Sequence, residues 1–137
     1  MTMLELIDAL VELLQGQIVD GIGPLPVEKY RRLDRARGPV VYVTPVAQAE
    51  AAVAIGGQFD EQFTVELRCE VPWREGGEGD VLLRLVDGLL AVLEDNREVN
   101  GARRGRIGRV EYRYEMRADT SQAFVAVIPV EFAAEKD

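Results

Sequence analysis

The 137-residue chain has no histidine and a single cysteine, Cys69. Without imidazole there is no Ser-His or Cys-His dyad, no HExxH zinc site, no C2H2 finger and no imidazole general base. One thiol makes neither an intramolecular disulfide nor a thiolate metal cage, so the fold has to stand on its core, as expected in a reducing compartment. Long apolar runs are missing too. Nothing approaches the roughly 18 uninterrupted apolar residues of a membrane-spanning helix, and the N-terminal stretch carries Glu5, Asp8 and Glu12 where a secretion signal would be basic. The sequence predicts neither a spanning segment nor secretion.

What is present is globular: 47% apolar and 29% charged residues, in the length of one domain, 1–137, that buries roughly two-thirds of its unfolded surface. The net charge is −8, and its distribution says more than its total. Between Arg97 and Arg117 lie seven Arg against three Glu, a local +4 that leaves −12 on the rest. A uniformly acidic protein repels nucleic acid, membrane and its own copies, whereas a dipolar one can join its copies head to side. Lys29, Arg31, Arg32, Arg35 and Arg37 form a second, weaker basic cluster.

Thr2-Met3-Leu4-Glu5 has the spacing of a capping box. With Leu6, Ile7, Leu10, Val11, Leu13 and Leu14 recurring at three and four, and Gly16 as a stop, it predicts a helix from Thr2 to Gln15. Residues 17–38 read as turns and an irregular crossing, with a short strand near Ile18. Val40 to Val43, between Pro39 and Pro45, reads as a short strand. Val46 to Ile55 is Ala-rich and fits either a short helix or an extended arm ending at Gly56-Gly57. Phe63 to Val71 alternates apolar with polar and predicts a half-buried strand ended by Pro72-Trp73.

Gly76-Gly77-Glu78-Gly79 leads into a second amphipathic helix, Asp80 to Asp95, whose Gly88 suggests a close backbone approach. Val110 to Met116 alternates again, and Asp119-Thr120-Ser121 reads as a turn. Phe124 to Phe132 is apolar on both faces, which means either a central strand covered twice or an outer face that meets another subunit. Ala133 to Asp137 reads as a loose tail. The expected architecture is an α+β two-layer sandwich: a mainly antiparallel sheet of about four strands, with two helices side by side on a face formed by Phe63, Val65, Leu67, Cys69, Val71, Tyr112 and Tyr114.

No catalytic, cofactor-binding or metal-ligating residue is predicted. The glycines at 76, 77 and 79 lack the GK[ST] ending of a phosphate loop and carry acids. Glu75, Glu78 and Asp80 lack calcium-loop spacing. Cys69, on the apolar face of its strand, reads as a buried, inert thiol. The most unusual segment is Asn100 to Arg109, in which three Gly suggest mobility and Arg103, Arg104, Arg106 and Arg109 offer guanidinium groups to carboxylate or phosphate. It reads as a solvated loop, a contact to an acidic protein neighbour, or a nucleic-acid contact. The net acidity and the lack of aromatics within it weigh against the last. Trp73 reads as a core cap or an interface anchor, and Phe132 as a candidate interface residue of the last strand.

Pro39-Val40-Val41-Tyr42-Val43-Thr44-Pro45, the strand Phe63 to Val71, the helix after Gly79-Asp80, and the pair Val110 to Met116 and Ala123 to Phe132 resemble the tail terminator proteins of long-tailed bacteriophages, including the small Gp37-like group of Mu-type phages. The likeness is one of pattern, covers most of the chain outside 17–38 and the Ala-rich stretch, and carries no diagnostic motif. It implies a non-enzymatic virion protein, at the head-proximal end of the tail and assembled in the host cytoplasm. Such a protein forms a homohexameric ring on the last tail-tube ring, stops tube polymerisation and offers the docking surface for head-tail connector proteins, close to phage DNA. A head-completion or neck ring protein, a small nucleic-acid-contacting factor using the Arg segment, and a small carboxylate enzyme are the competing readings.

Overall fold

Thr2 opens the first helix as its pattern requires: its hydroxyl accepts from the Glu5 N–H at 3.1 Å, and the Glu5 carboxylate accepts from the Thr2 N–H at 3.2 Å. The reciprocal cap satisfies two backbone donors that a helix start leaves free. In the computed structural model, which describes residues 1–30, 38–52, 59–73, 78–116 and 122–135, helix α1 runs Met3–Gln15 and buries Leu6, Ile7, Leu10 and Leu14. Two short strands, β1 (Ile18–Val19) and β2 (Gly23–Pro24), pair as a small separate sheet. β3 (Val27–Glu28) then lies parallel to the start of β4 (Val40–Ala52).

β4 and β5 (Phe59–Pro72) form a long antiparallel hairpin, with a register shift between Pro45 and Ala47. The Val41 N–H donates outward to the Pro26 carbonyl at 2.7 Å. Alternation therefore turns the backbone of Pro45 outward as well, where its missing N–H costs no ladder bond. Helix α2 (Glu78–Asp95) crosses back. The chain then forms β6 (Glu98–Val99), β7 (Ala102–Ile107), β8 (Glu111–Met116) and β9 (Gln122–Glu135).

The main sheet has the order β3-β4-β5-β9-β7-β6, with β8 also paired to β9. One edge of β9 lies along β5 for its whole length, while its other edge meets β8 at residues 122–127 and β7 at 130–133. Between these two the register slips, and the Gly108 N–H bridges the gap by donating to the Pro129 carbonyl at 2.8 Å. Pro129 thus sits in a central strand because its missing N–H faces a break in the ladder.

The expectation of a sandwich built on about four strands is overturned: the main sheet has seven strands and curls into a half-barrel, beside the two-stranded sheet. β1 lies near Ile18, where a short strand is expected; of the four strands not foreseen, β2, β3 and β6 are two-residue pieces too short to leave a periodic signal, and β7 falls in the Arg-rich segment that reads as a loop. Two of the expected strands are also longer than their patterns: the Ala-rich stretch is extended and continues β4 to Ala52, and 133–135, expected to be loose, continue β9.

One core joins Leu6, Ile7, Leu10 and Leu14 of α1 and Leu82, Leu85, Val86, Leu89 and Leu93 of α2 to Val41, Val43, Phe63, Val65, Leu67, Cys69, Ile128, Val130 and Phe132. Tyr112 and Tyr114, expected in that face, are exposed. They oppose Ala126 and Phe124 in register, so they point to the correct side of the sheet, but on an edge strand that the helices do not cover. On the second face Val40, Tyr42, Ala123 and Val125 are also buried, so the first half of β9 is central and carries buried side chains on both faces. Gly88 makes its close approach to a side chain, not to backbone: a Cβ there would stand 2.7 Å from Cγ2 of Val19. The basic residues 31–37, Gly56-Gly57, Gly76-Gly77, the turn at 119–121 and residues 136–137 lie outside the described residues.

Candidate assembly surface

The Arg-rich segment is β7, not a loop, and its glycines serve packing and a turn. Asn100 and Gly101 carry φ of 49° and 87° and make the tight turn from β6. A Cβ on Gly108 would stand 2.6 Å from Cγ of Pro129, and one on Gly105 would rest 3.5 Å from the Glu131 carbonyl oxygen.

The four arginines divide, because a register shift follows Arg104 and Arg109 lies beyond the end of β7. Arg103 reaches across β9 to Asp60, at 2.7 Å, and supplies a counter-charge to a carboxylate whose residue is only 4% exposed. Arg104 opposes Phe132 on the helix-facing side, where its largely buried side chain extends to Glu94 of α2 at 3.4 Å. Arg106 is exposed and has no ion-pair partner among the described residues, and Arg109 pairs in solvent with Glu111 at 2.8 Å. That hydrogen bond and the charge of Arg109 hold the Glu111 carboxyl below its ordinary value. Two of the four are therefore occupied inside the protomer and two face outward. Phe132 is 2% exposed in the core and has no surface to give a partner, which removes it from the candidate interface residues.

Trp73 sits at the end of β5, 45% exposed, edge-on to Tyr114 with ring centroids 5.2 Å apart. Tyr114 in turn stacks on Phe124 at 4.7 Å. Met116, 67% exposed, continues the row, and Leu83 of α2 is exposed as well. Partial burial, and then the charge of Asp87, push the Tyr112 phenol pKa up. The β8 edge is consequently flanked by large apolar side chains that the protomer half covers. Exposed aromatic groups of this size are enriched at protein interfaces.

β8 is held from the other face by charge. Arg68 donates from Nε to Glu70 at 2.9 Å and from its second guanidinium arm to Glu115, while Arg113 Nε meets the other Glu115 oxygen at 2.9 Å. These side chains lie over β9 and tie β5 to β8. Sequence alternation had marked them only as a polar face; nothing in spacing alone shows that the curl of the sheet buries Arg68 and Glu70.

Other surfaces offer less. Glu5, Asp8, Glu12 and Glu98 line an acidic groove beside α1, where Lys29 pairs with Asp8 at 2.6 Å and is raised in pKa by that hydrogen bond. Glu78 is buried at the start of α2, Glu75 lies outside the described residues, and no cluster of three metal-ligating side chains occurs among those described. Burial pushes the Cys69 thiol up to about 12, which leaves it a thiol and not a nucleophile at neutral pH. No helix among the described residues is long and apolar enough to cross a membrane. No protein-family model matches the chain, and no curated protein matches it in sequence.

Proposed function

We propose that the chain is a structural subunit that closes into a homo-oligomeric ring, acting as a tail terminator: it caps the tail tube, ends its polymerisation and presents the docking surface for the head. The observation that carries this reading is a sheet open at two different edges. Among the described residues, the outer edge of β4 beyond β3 and, on the far side, the outer edge of β8 are both unpaired, and the latter is flanked by exposed Trp73, Tyr112, Tyr114 and Met116. Two unlike edges on one protomer favour a heterologous contact, which closes into a ring when the rotation permits. The sequence resemblance supplies the biological setting and the six-fold expectation.

Pairing of Arg103 with Asp60 and of Arg104 with Glu94 leaves fewer guanidinium groups for phosphate than the sequence suggested, which weakens the nucleic-acid reading. The test is to add the purified chain to polymerising tail-tube subunits and to image assembled particles. Capped tubes of bounded length, with a six-fold ring of this chain at the head-proximal end, are expected. Unchanged tube growth together with a monomeric chain in every particle would overturn the reading.

A further inference from the structure

We propose that the outer edge of β4 from Val46 to Ala52 in one copy pairs with the outer edge of β8 in the next copy, so that the sheets of neighbouring subunits join. The proposal rests on the ring reading above and names the strands that make its interface.

Three observations point to this pairing. The first is the bareness of the β4 edge. Among the described residues only β3 lies along this edge, opposite Val41 and Tyr42, and from Val46 to Glu50 every side chain is exposed. An exposed strand of this length is a template for another strand, and natural proteins blunt such edges with lysine, proline or inward charge. Here Pro45 stands before the register shift, no lysine follows, and the sole charge from 46 to 52 is Glu50.

The second is fit. β8 has six residues and the free part of β4 seven, so each edge spans about 20 Å. The β8 edge is flanked by Tyr112, Tyr114, Met116 and Trp73, whereas the β4 edge offers Val46, Ala47 and Ala49. Small side chains on the incoming strand leave room for large rings to lie across it, and this would cover apolar surface that the protomer leaves exposed.

The third is charge. Residues 40–72, the β4–β5 hairpin, contain five acids against one Arg, a net −4, and residues 102–116 contain five Arg against two Glu, a net +3. β8 by itself carries Glu111, Arg113 and Glu115, a net −1, so the positive excess lies in the arginines before it, of which Arg106 and Arg109 face outward, and it is these that draw the acidic hairpin of the next copy towards the β8 end of the sheet. A β4–β4 or β8–β8 pairing is disfavoured by the same arithmetic. Only the unlike pairing continues around a ring.

Cysteine placement tests it. The native Cys69 is fully buried and need not be removed. Gln48→Cys or Ala49→Cys on one chain, mixed with Arg113→Cys or Tyr114→Cys on another, covers both faces of each strand at exposed positions. Circular dichroism confirms that each variant folds, sedimentation reports assembly, and gentle oxidation followed by a non-reducing gel reports proximity. The expected result is a cross-linked heterodimer in mixtures, no self-linked dimer from either variant alone, and a ladder from a chain carrying both cysteines. Assembly into rings without mixed cross-links, or with β4 linked to β4, would overturn the edge pairing and leave the ring reading standing. Absence of assembly even on tail tubes would overturn both.

Discussion

Gly88 lies in α2 where the helix meets Val19 of the small β1–β2 sheet, and it offers a substitution whose sign depends on one neighbour. In an isolated helix Gly→Ala gains about 1 kcal/mol, chiefly because glycine loses more backbone entropy. Here the new Cβ would stand 2.7 Å and 2.8 Å from the two methyl groups of Val19, closer than carbon atoms approach. Relieving such overpacking costs typically about 1 to 3 kcal/mol, so Gly88→Ala should be neutral or destabilise by up to about 2 kcal/mol. In a Val19→Ala background the two methyls are gone, and the nearest remaining atom of Val19, Cβ, is 3.4 Å away. There Gly88→Ala should stabilise by about 1 kcal/mol. The double-mutant cycle should therefore give a coupling of about 1 to 3 kcal/mol. Urea unfolding of the four proteins, with m checked for constancy, reads it directly. A Gly88→Ala protein more stable than wild type by about 1 kcal/mol, with no coupling to Val19, would refute the reasoning.

Leu10→Ala and Leu89→Ala, both at fully buried positions, should each lose about 2 to 5 kcal/mol through the cavity left behind, measured by urea unfolding; losses under about 0.5 kcal/mol would remove them from the core. Cys69 is held as a thiol up to about 12 when folded, against an ordinary value of 9.0. The unfolded chain therefore releases that proton first, and stability should be undiminished by Cys69 below about pH 9 and fall by up to about 1.4 kcal/mol per pH unit from there towards 12. A Cys69→Ala protein with the same alkaline slope would sink this attribution. Arg103→Ser should destabilise by about 1 to 3 kcal/mol because it strips buried Asp60 of its counter-charge, whereas Arg106→Ser with Arg109→Ser should leave unfolding curves unchanged. Replacing all four arginines is consequently not neutral to the fold, contrary to what a solvated loop would imply.

The elements legible in the sequence were those whose periodicity is enforced by one buried face. The Leu pattern of α1 and the alternation of Phe63 to Val71 both meet the core, and each appears where its pattern places it. The Ala-rich part of β4 left no such trace, because from Val46 to Glu50 neither face is buried and its conformation follows from pairing with β5, a contact made at a distance along the chain. The Arg segment misled for a related reason. Glycine and arginine are poor strand formers by composition, yet Gly108 is required where Pro129 comes close and Arg103 and Arg104 are drawn in by Asp60 and Glu94. Tyr112 and Tyr114 alternate as faultlessly as β5 does, but alternation reports only which side a residue faces and not whether anything covers that side.

That distinction bears on how β8 is held. A strand whose apolar row is half exposed gains little from the core, and β8 instead depends on its ladder to β9 and on Arg68, Glu70, Arg113 and Glu115 across the second face. Buried charge networks contribute less net stability than hydrophobic contacts of similar volume, since desolvation offsets much of their attraction. They do fix geometry, because Arg68 must meet Glu70 and Glu115 in one arrangement for its charge to be compensated. β8 is thereby set in register and direction while its outer edge and its aromatic flank stay available. An edge held in place by internal charge, and left short of apolar cover, is suited to finding that cover on a neighbouring copy.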